Sequence, residues 1–83
     1  MNIPKDKLLG VQVWKNDEVK KEFFTYKMVY FLGGNKFLLF ADYENNKRPL
    51  IQKEMIKSIY RMKFDHNSET YIKGEILYKD IKK

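Results

Sequence analysis

The sequence predicts a mostly β fold, a small five-stranded antiparallel barrel with one short helical turn. Three observations predict it. Apolar and polar residues alternate over most of the chain, and polar or glycine-rich clusters punctuate those runs. The β-favouring residues Ile, Val, Phe and Tyr are abundant, while Ala41 is the only alanine. With 83 residues there is room for one core and no more, so the chain is one domain with frayed ends expected at 1–7 and 80–83.

The elements follow in order. Leu9, Val11 and Val13 alternate with Gly10 and Gln12 as a first strand, and Lys15-Asn16-Asp17-Glu18 turns the chain. A long second strand is expected from Val19 to Leu32, with Phe24, Tyr26, Met28, Tyr30 and Leu32 on one face. Gly33-Gly34-Asn35 signals a hairpin, because glycine reaches the positive φ angles of tight turns without steric penalty. Phe37 to Tyr43 reads as a buried strand, closed by Glu44-Asn45-Asn46-Lys47.

Residues 49–64 admit two patterns. Ile51, Met55, Ile59 and Met62 are spaced as a helix would space them, and Pro49 suits a first helical turn. Ile56, Ser58, Tyr60, Met62 and Phe64 alternate with Lys57, Ile59, Arg61 and Lys63 as a strand would. The favoured reading is a helical turn at Gln52 to Ile56, then a hairpin of Ser58–Phe64 with Thr70–Tyr78 across the turn Asp65-His66-Asn67-Ser68-Glu69. The alternative is an α+β fold with one helix at 50–62. The expected core is Val11, Val13, Met28, Tyr30, Leu39, Ile59, Ile76 and Tyr78.

The run Phe37-Leu38-Leu39-Phe40-Ala41-Asp42, a turn, Arg48-Pro49-Leu50-Ile51 and Met55-Ile56-Lys57-Ser58-Ile59 resembles the second half of an Sm-like barrel. Bacterial Sm-class RNA chaperones and WYL-type domains share that succession. The resemblance covers about a quarter of the chain and implies the barrel fold. The Lys-His pair that serves RNA contact in the Sm class is not present near this segment.

Composition bounds the chemistry. Seventeen Lys plus Arg against eleven Asp plus Glu leave a net charge of +6, which favours phosphates or acidic surfaces. Without cysteine there is neither a disulfide nor a thiolate metal site, and His66 is the only histidine. No Ser or Thr sits in a nucleophile motif, and Gly33-Gly34 lacks the Gly-Lys-Ser/Thr that would cradle a phosphate. The chain is therefore expected to be no enzyme, to need no cofactor or metal, and to work by binding. The N-terminus has no apolar stretch behind its charges, and the runs 28–32 and 37–41 are too short to span a membrane, so a cytoplasmic protein without membrane attachment is expected.

Two kinds of partner fit. Lysines interleaved with aromatics suit single-stranded nucleic acid, since rings stack on bases while cations follow phosphates. The candidate residues are Lys21, Phe23 and Lys27 on the second strand, Lys57, Arg61 and Lys63 on the fourth, and Tyr71 and Lys73 on the fifth. Alternatively, a small regulator or inhibitor, of the type phage and mobile elements encode, would dock on a larger acidic protein. Trp14, the lone tryptophan, is then the possible anchor, its other role being to plug the barrel end. Surplus aromatics and strand edges leave homo-oligomers open.

Overall fold

The computed structural model describes residues 2–80 and places six strands in one antiparallel sheet. They are β1 (Leu9–Trp14), β2 (Phe23–Gly34), β3 (Phe37–Asp42), β4 (Leu50–Gln52), β5 (Ile56–Asp65) and β6 (Thr70–Lys79). Their order across the sheet is β4-β3-β2-β1-β5-β6. The mainly β class is as expected. The five-stranded closed barrel is corrected to an open six-stranded sheet, because Leu50–Gln52 forms a strand of its own against β3 and the ladder ends at β4 and β6.

The helix considered for 50–62 does not form. A single 3-10 turn, Lys53–Met55, stands at the place of the expected helical turn, and the chain on either side is extended. That turn forces curvature. Across the sheet β4 lies four steps from β5, about 19 Å if the sheet were flat at roughly 4.8 Å per step. The link from Gln52 to Ile56 can reach at most about 14 Å. The sheet must curl, and an apolar groove of about 300 Å³ duly forms between Val13, Phe24 and Tyr26 on one side and Leu50, Ile51 and Met55 on the other.

The core lies inside that curl. Leu9, Val11, Val13, Val29, Phe31, Leu38, Phe40, Ile51, Ile56 and Ile59 are buried together, with Ile3, Tyr26, Met55, Leu77 and Tyr78 packed against them. Val11, Val13 and Ile59 were expected there. Met28, Tyr30 and Leu39 are only half-buried, and Ile76 is exposed.

For Met28 and Tyr30 the cause is a change of parity in β2, while Ile76 is moved by an extra residue in β6, where Tyr78 pairs with Ile59 but Ile76 with Tyr60. Val29 pairs with Leu9, but Tyr26 pairs with Val11, so β2 carries one residue more than β1 over that stretch. Met28 absorbs it with a left-handed φ of 61°. One extra residue moves every later side chain to the other face. Phe24 and Tyr26 therefore point inward before the bulge, and Val29 and Phe31 point inward after it.

The ends of the elements follow local chemistry. The second strand starts at Phe23 rather than Val19, since Asn16 Oδ1 accepts the amides of Glu18 and Val19 at 2.8 and 3.1 Å and holds that segment in a turn. Gly33 and Gly34 take φ of 140° and 127° at the hairpin, and a side chain at Gly34 would collide with the Phe37 carbonyl. At the N-terminal side, Ile3 packs on the core and the Leu8 carbonyl accepts the Met62 amide at 2.8 Å. Residues 81–83, part of the end expected to fray, lie outside the described residues.

Candidate functional site

The convex face of the sheet, opposite the core, collects rings and lysines. On β1, Leu9, Val11 and Val13 point into the core, so Gly10, Gln12 and Trp14 point outward. Directly paired residues share a face. Thus Phe23 stands outward beside Trp14, Thr25 and Ser58 flank Gln12, and Tyr60 lies over Gly10. Farther along, Met62 pairs with Lys73 and Phe64 with Tyr71, which continues the same face along β5 and β6.

Three ring groups form around β1, β5 and β6, apart from the pair Tyr30–Tyr43 at 5.4 Å beside β3. In the first, Trp14 and Phe23 meet edge to face at 6.2 Å, and Lys57 Nζ lies 4.7 Å from the Phe23 ring and 5.5 Å from that of Trp14. Both distances are within cation–π range. Trp14 is half-buried, and its indole N–H donates to Asp80 Oδ2 at 3.2 Å. Lys20 Nζ closes on the same oxygen at 2.6 Å, so the ring is tied down at its polar edge.

The second group is Tyr60 with Lys73, whose Nζ is 5.1 Å from the ring. Tyr60 occupies the space in which a Cβ on Gly10 would stand. Burial pushes its phenol above the ordinary value. The third group is Phe64, which meets His66 at 5.0 Å and Tyr71 at 5.2 Å, both edge to face. Phe23, Phe64 and Tyr71 are all exposed.

Between the first two groups sits a polar pair. Ser58, itself buried, donates its hydroxyl to Gln12 Oε1 at 2.6 Å, and Lys57 Nζ approaches the same oxygen at 3.5 Å. Lys57 is turned here by an extra residue in β5, because Gln12 pairs with Ser58 while Val13 pairs with Ile56.

The candidate residues therefore divide. Phe23, Lys57, Tyr71 and Lys73 share the convex face with Trp14. Lys27, exposed on β2, alternates onto that face from Thr25 just before the bulge. Arg61 and Lys63, expected beside Lys57, alternate with Tyr60, Met62 and Phe64 onto the opposite side. There the Arg61 guanidinium lies 3.8 Å from the Glu75 carboxylate, both exposed. Lys21 falls in the turn before β2, its amide donating to the Val19 carbonyl at 3.1 Å.

Tyr60, Phe64 and Gln12 were not singled out from the sequence. Gly10 within an alternating strand was the available signal for Tyr60, since a missing side chain there admits a close neighbour. Nothing local distinguishes Gln12, whose partner is 46 residues away.

Among the described residues no group of three or more His, Cys, Asp or Glu side chains could hold a metal ion, and no helix is long and apolar enough to cross a membrane. Asp42 and Asp65 serve turns instead. The Asn45 side chain, donating at 2.9 Å, holds the Asp42 carboxyl below its ordinary range despite burial. The Ser68 hydroxyl, at 2.8 Å, does the same for Asp65. No family model matches the chain, and neither a curated protein nor a solved structure matches it significantly.

Proposed function

We propose that this is a small non-enzymatic binding protein that takes single-stranded nucleic acid along the convex face of β1, β5 and β6. The observation that carries the reading is the sharing of one face by exposed rings and lysines, from Phe23 with Lys57 to Tyr71 with Lys73. Rings stack on any base, and lysines beside them meet the phosphates. The excess charge of +6 attracts the polyanion from a distance. Fluorescence anisotropy with a labelled oligonucleotide tests it. Affinity should fall steeply with salt, with log K changing by about −0.7 per phosphate neutralised for each unit of log salt. An absence of binding even at low salt sinks the reading.

A second reading, a regulator docking on a larger acidic protein, is favoured by the outer edge of β6. That ten-residue strand ends the sheet, with Ile72 and Ile76 exposed. Such an edge accepts an added strand. Hydrogen exchange separates the two, since strand addition protects β6 amides whereas stacking on the convex face leaves them unchanged.

A further inference from the structure

We infer that Gln12 gives the convex face a preference for pyrimidine bases over adenine, by presenting an amide that can only donate; the inference rests on the nucleic-acid reading above. The argument begins with the orientation of that amide. Its Oε1 accepts from the buried Ser58 hydroxyl at 2.6 Å and faces the Lys57 ammonium at 3.5 Å. Turning the amide over would set its N–H groups against an ammonium that can only donate, so the lysine fixes the orientation. The oxygen is occupied, and the amide nitrogen makes no hydrogen bond within the described residues.

Gln12 sits on the strand between Trp14 and the site where Tyr60 covers Gly10, so a base stacked at Phe23 would bring its edge near this amide. A glutamine with both ends free reads adenine by donating and accepting together. Here the accepting end is taken, which removes that mode. Donors alone favour an edge rich in acceptors. Cytosine offers O2 beside N3, and thymine or uracil offers O2 and O4. Adenine offers N1 next to an amino group that is itself a donor and finds no acceptor here. Against adenine a pyrimidine edge is the better match, as guanine with its adjacent O6 and N7 acceptors would also be.

The test compares single-stranded oligonucleotides of about ten nucleotides, a length within the range one small β domain covers. The probes are oligo-dT, oligo-dC and oligo-dA at fixed low salt. The native chain should bind both pyrimidine probes about three- to tenfold more tightly than oligo-dA, the span of one hydrogen bond. Gln12→Glu keeps an acceptor for Ser58 and Lys57 but replaces the donor, and should abolish the preference. Ser58→Ala removes the closer of the two donors on the glutamine oxygen and should narrow the gap by improving oligo-dA binding, an effect a merely structural role would not produce. Equal binding of all three probes by the native chain, or an unchanged ratio in both variants, overturns the inference and leaves the nucleic-acid reading standing. No binding of any probe overturns both.

Discussion

Two parts of the same sheet obey one pattern and reach opposite ends. From β1 to the first half of β5, alternation places one side of each strand inside the curl, and all the buried residues among those described come from this body. Beyond Tyr60 no described residue is buried, although 62–64 and 71–73 continue the pairing of β5 with β6. This arm extends past the end of β1, whose last pairing with β5 is Leu9 with Arg61. A two-stranded ribbon has no second layer to pack on and is marginal alone. Alternation in sequence therefore signals a strand, while burial depends on whether another layer faces it. The apolar side chains of the arm, Phe64, Tyr71 and Ile72, are left exposed and available to a partner.

The contrast predicts its largest effect for a matched pair of substitutions. Phe40 is wholly buried and Phe64 is 40% exposed. Phe40→Ala should cost about 3–5 kcal/mol, close to the whole stability of a domain this small. Phe64→Ala should cost less than about 1 kcal/mol. It should instead remove stacking on the oligonucleotide worth roughly 1–3 kcal/mol. Urea unfolding measures the first two effects and anisotropy the third. Equal destabilisation by the two alanines would mean that the arm is packed like the body.

The junction between the parts gives the next effect. A methyl on Gly10 would meet the Tyr60 ring, which must then leave its seat beneath Lys73. Gly10→Ala should cost about 1–3 kcal/mol as an overpacked site. In a Tyr60→Ala background the same change should be nearly neutral, because the obstructing ring is gone. Simple addition of the two costs would break the account of how Tyr60 is seated.

Much of this fold was legible in the sequence, and the failures have particular causes. Leu9 to Val13, the glycine hairpin and the 65–69 turn could be read because each depends on neighbours in the chain. The inward residues of β2 could not. The alternation Tyr26, Met28, Tyr30 is regular in sequence, and only a left-handed Met28 moves Val29 and Phe31 inward. A non-glycine residue in that conformation is held by the pairing of β1 on one side and β3 on the other, which no local pattern encodes. The same holds for β4, three residues long and stabilised by its register with Phe37, Leu38 and Leu39. For the candidate site, residue types were legible and faces were not. Lys57 and Lys63 look equivalent by spacing, yet the extra residue in β5 turns Lys57 to the rings of Trp14 and Phe23.

That separation of faces sharpens the comparison by charge reversal. Lys57→Glu and Lys73→Glu each place a negative charge among the convex rings and should weaken oligonucleotide binding about tenfold at low salt. Arg61→Glu and Lys63→Glu lie on the reverse side, where only the long-range field is altered, and should weaken it less than about threefold. Equal losses at all four positions would indicate binding to diffuse charge, with no preferred face.

The smallest effect concerns the two aspartate turns, one in each part. Asp42 is buried at the end of β3 and accepts the Asn45 amide N–H at 3.2 Å and its side-chain amide at 2.9 Å. Asp65 caps the arm tip, accepting the Asn67 amide at 3.2 Å and the Ser68 hydroxyl at 2.8 Å. Both carboxyls are held below their ordinary range, for Asp42 chiefly by the Asn45 side chain and for Asp65 chiefly by the Ser68 hydroxyl. A carboxyl with a depressed folded-state pKa contributes stability that is present above its unfolded value, about 3.9, and is lost as pH falls through the folded value. Acidification from about pH 5 to pH 2 should therefore lower the melting temperature. Asn45→Ala, which removes the main cause at Asp42, should flatten that slope while lowering the melting temperature at pH 7. Ser68→Ala should leave the global slope unchanged, because a two-stranded arm, marginal alone, should open without unfolding the body. Its signature should be faster hydrogen exchange at Asn67 and Thr70 alone. A global slope as sensitive to Ser68 as to Asn45 would show that arm and body unfold as one unit.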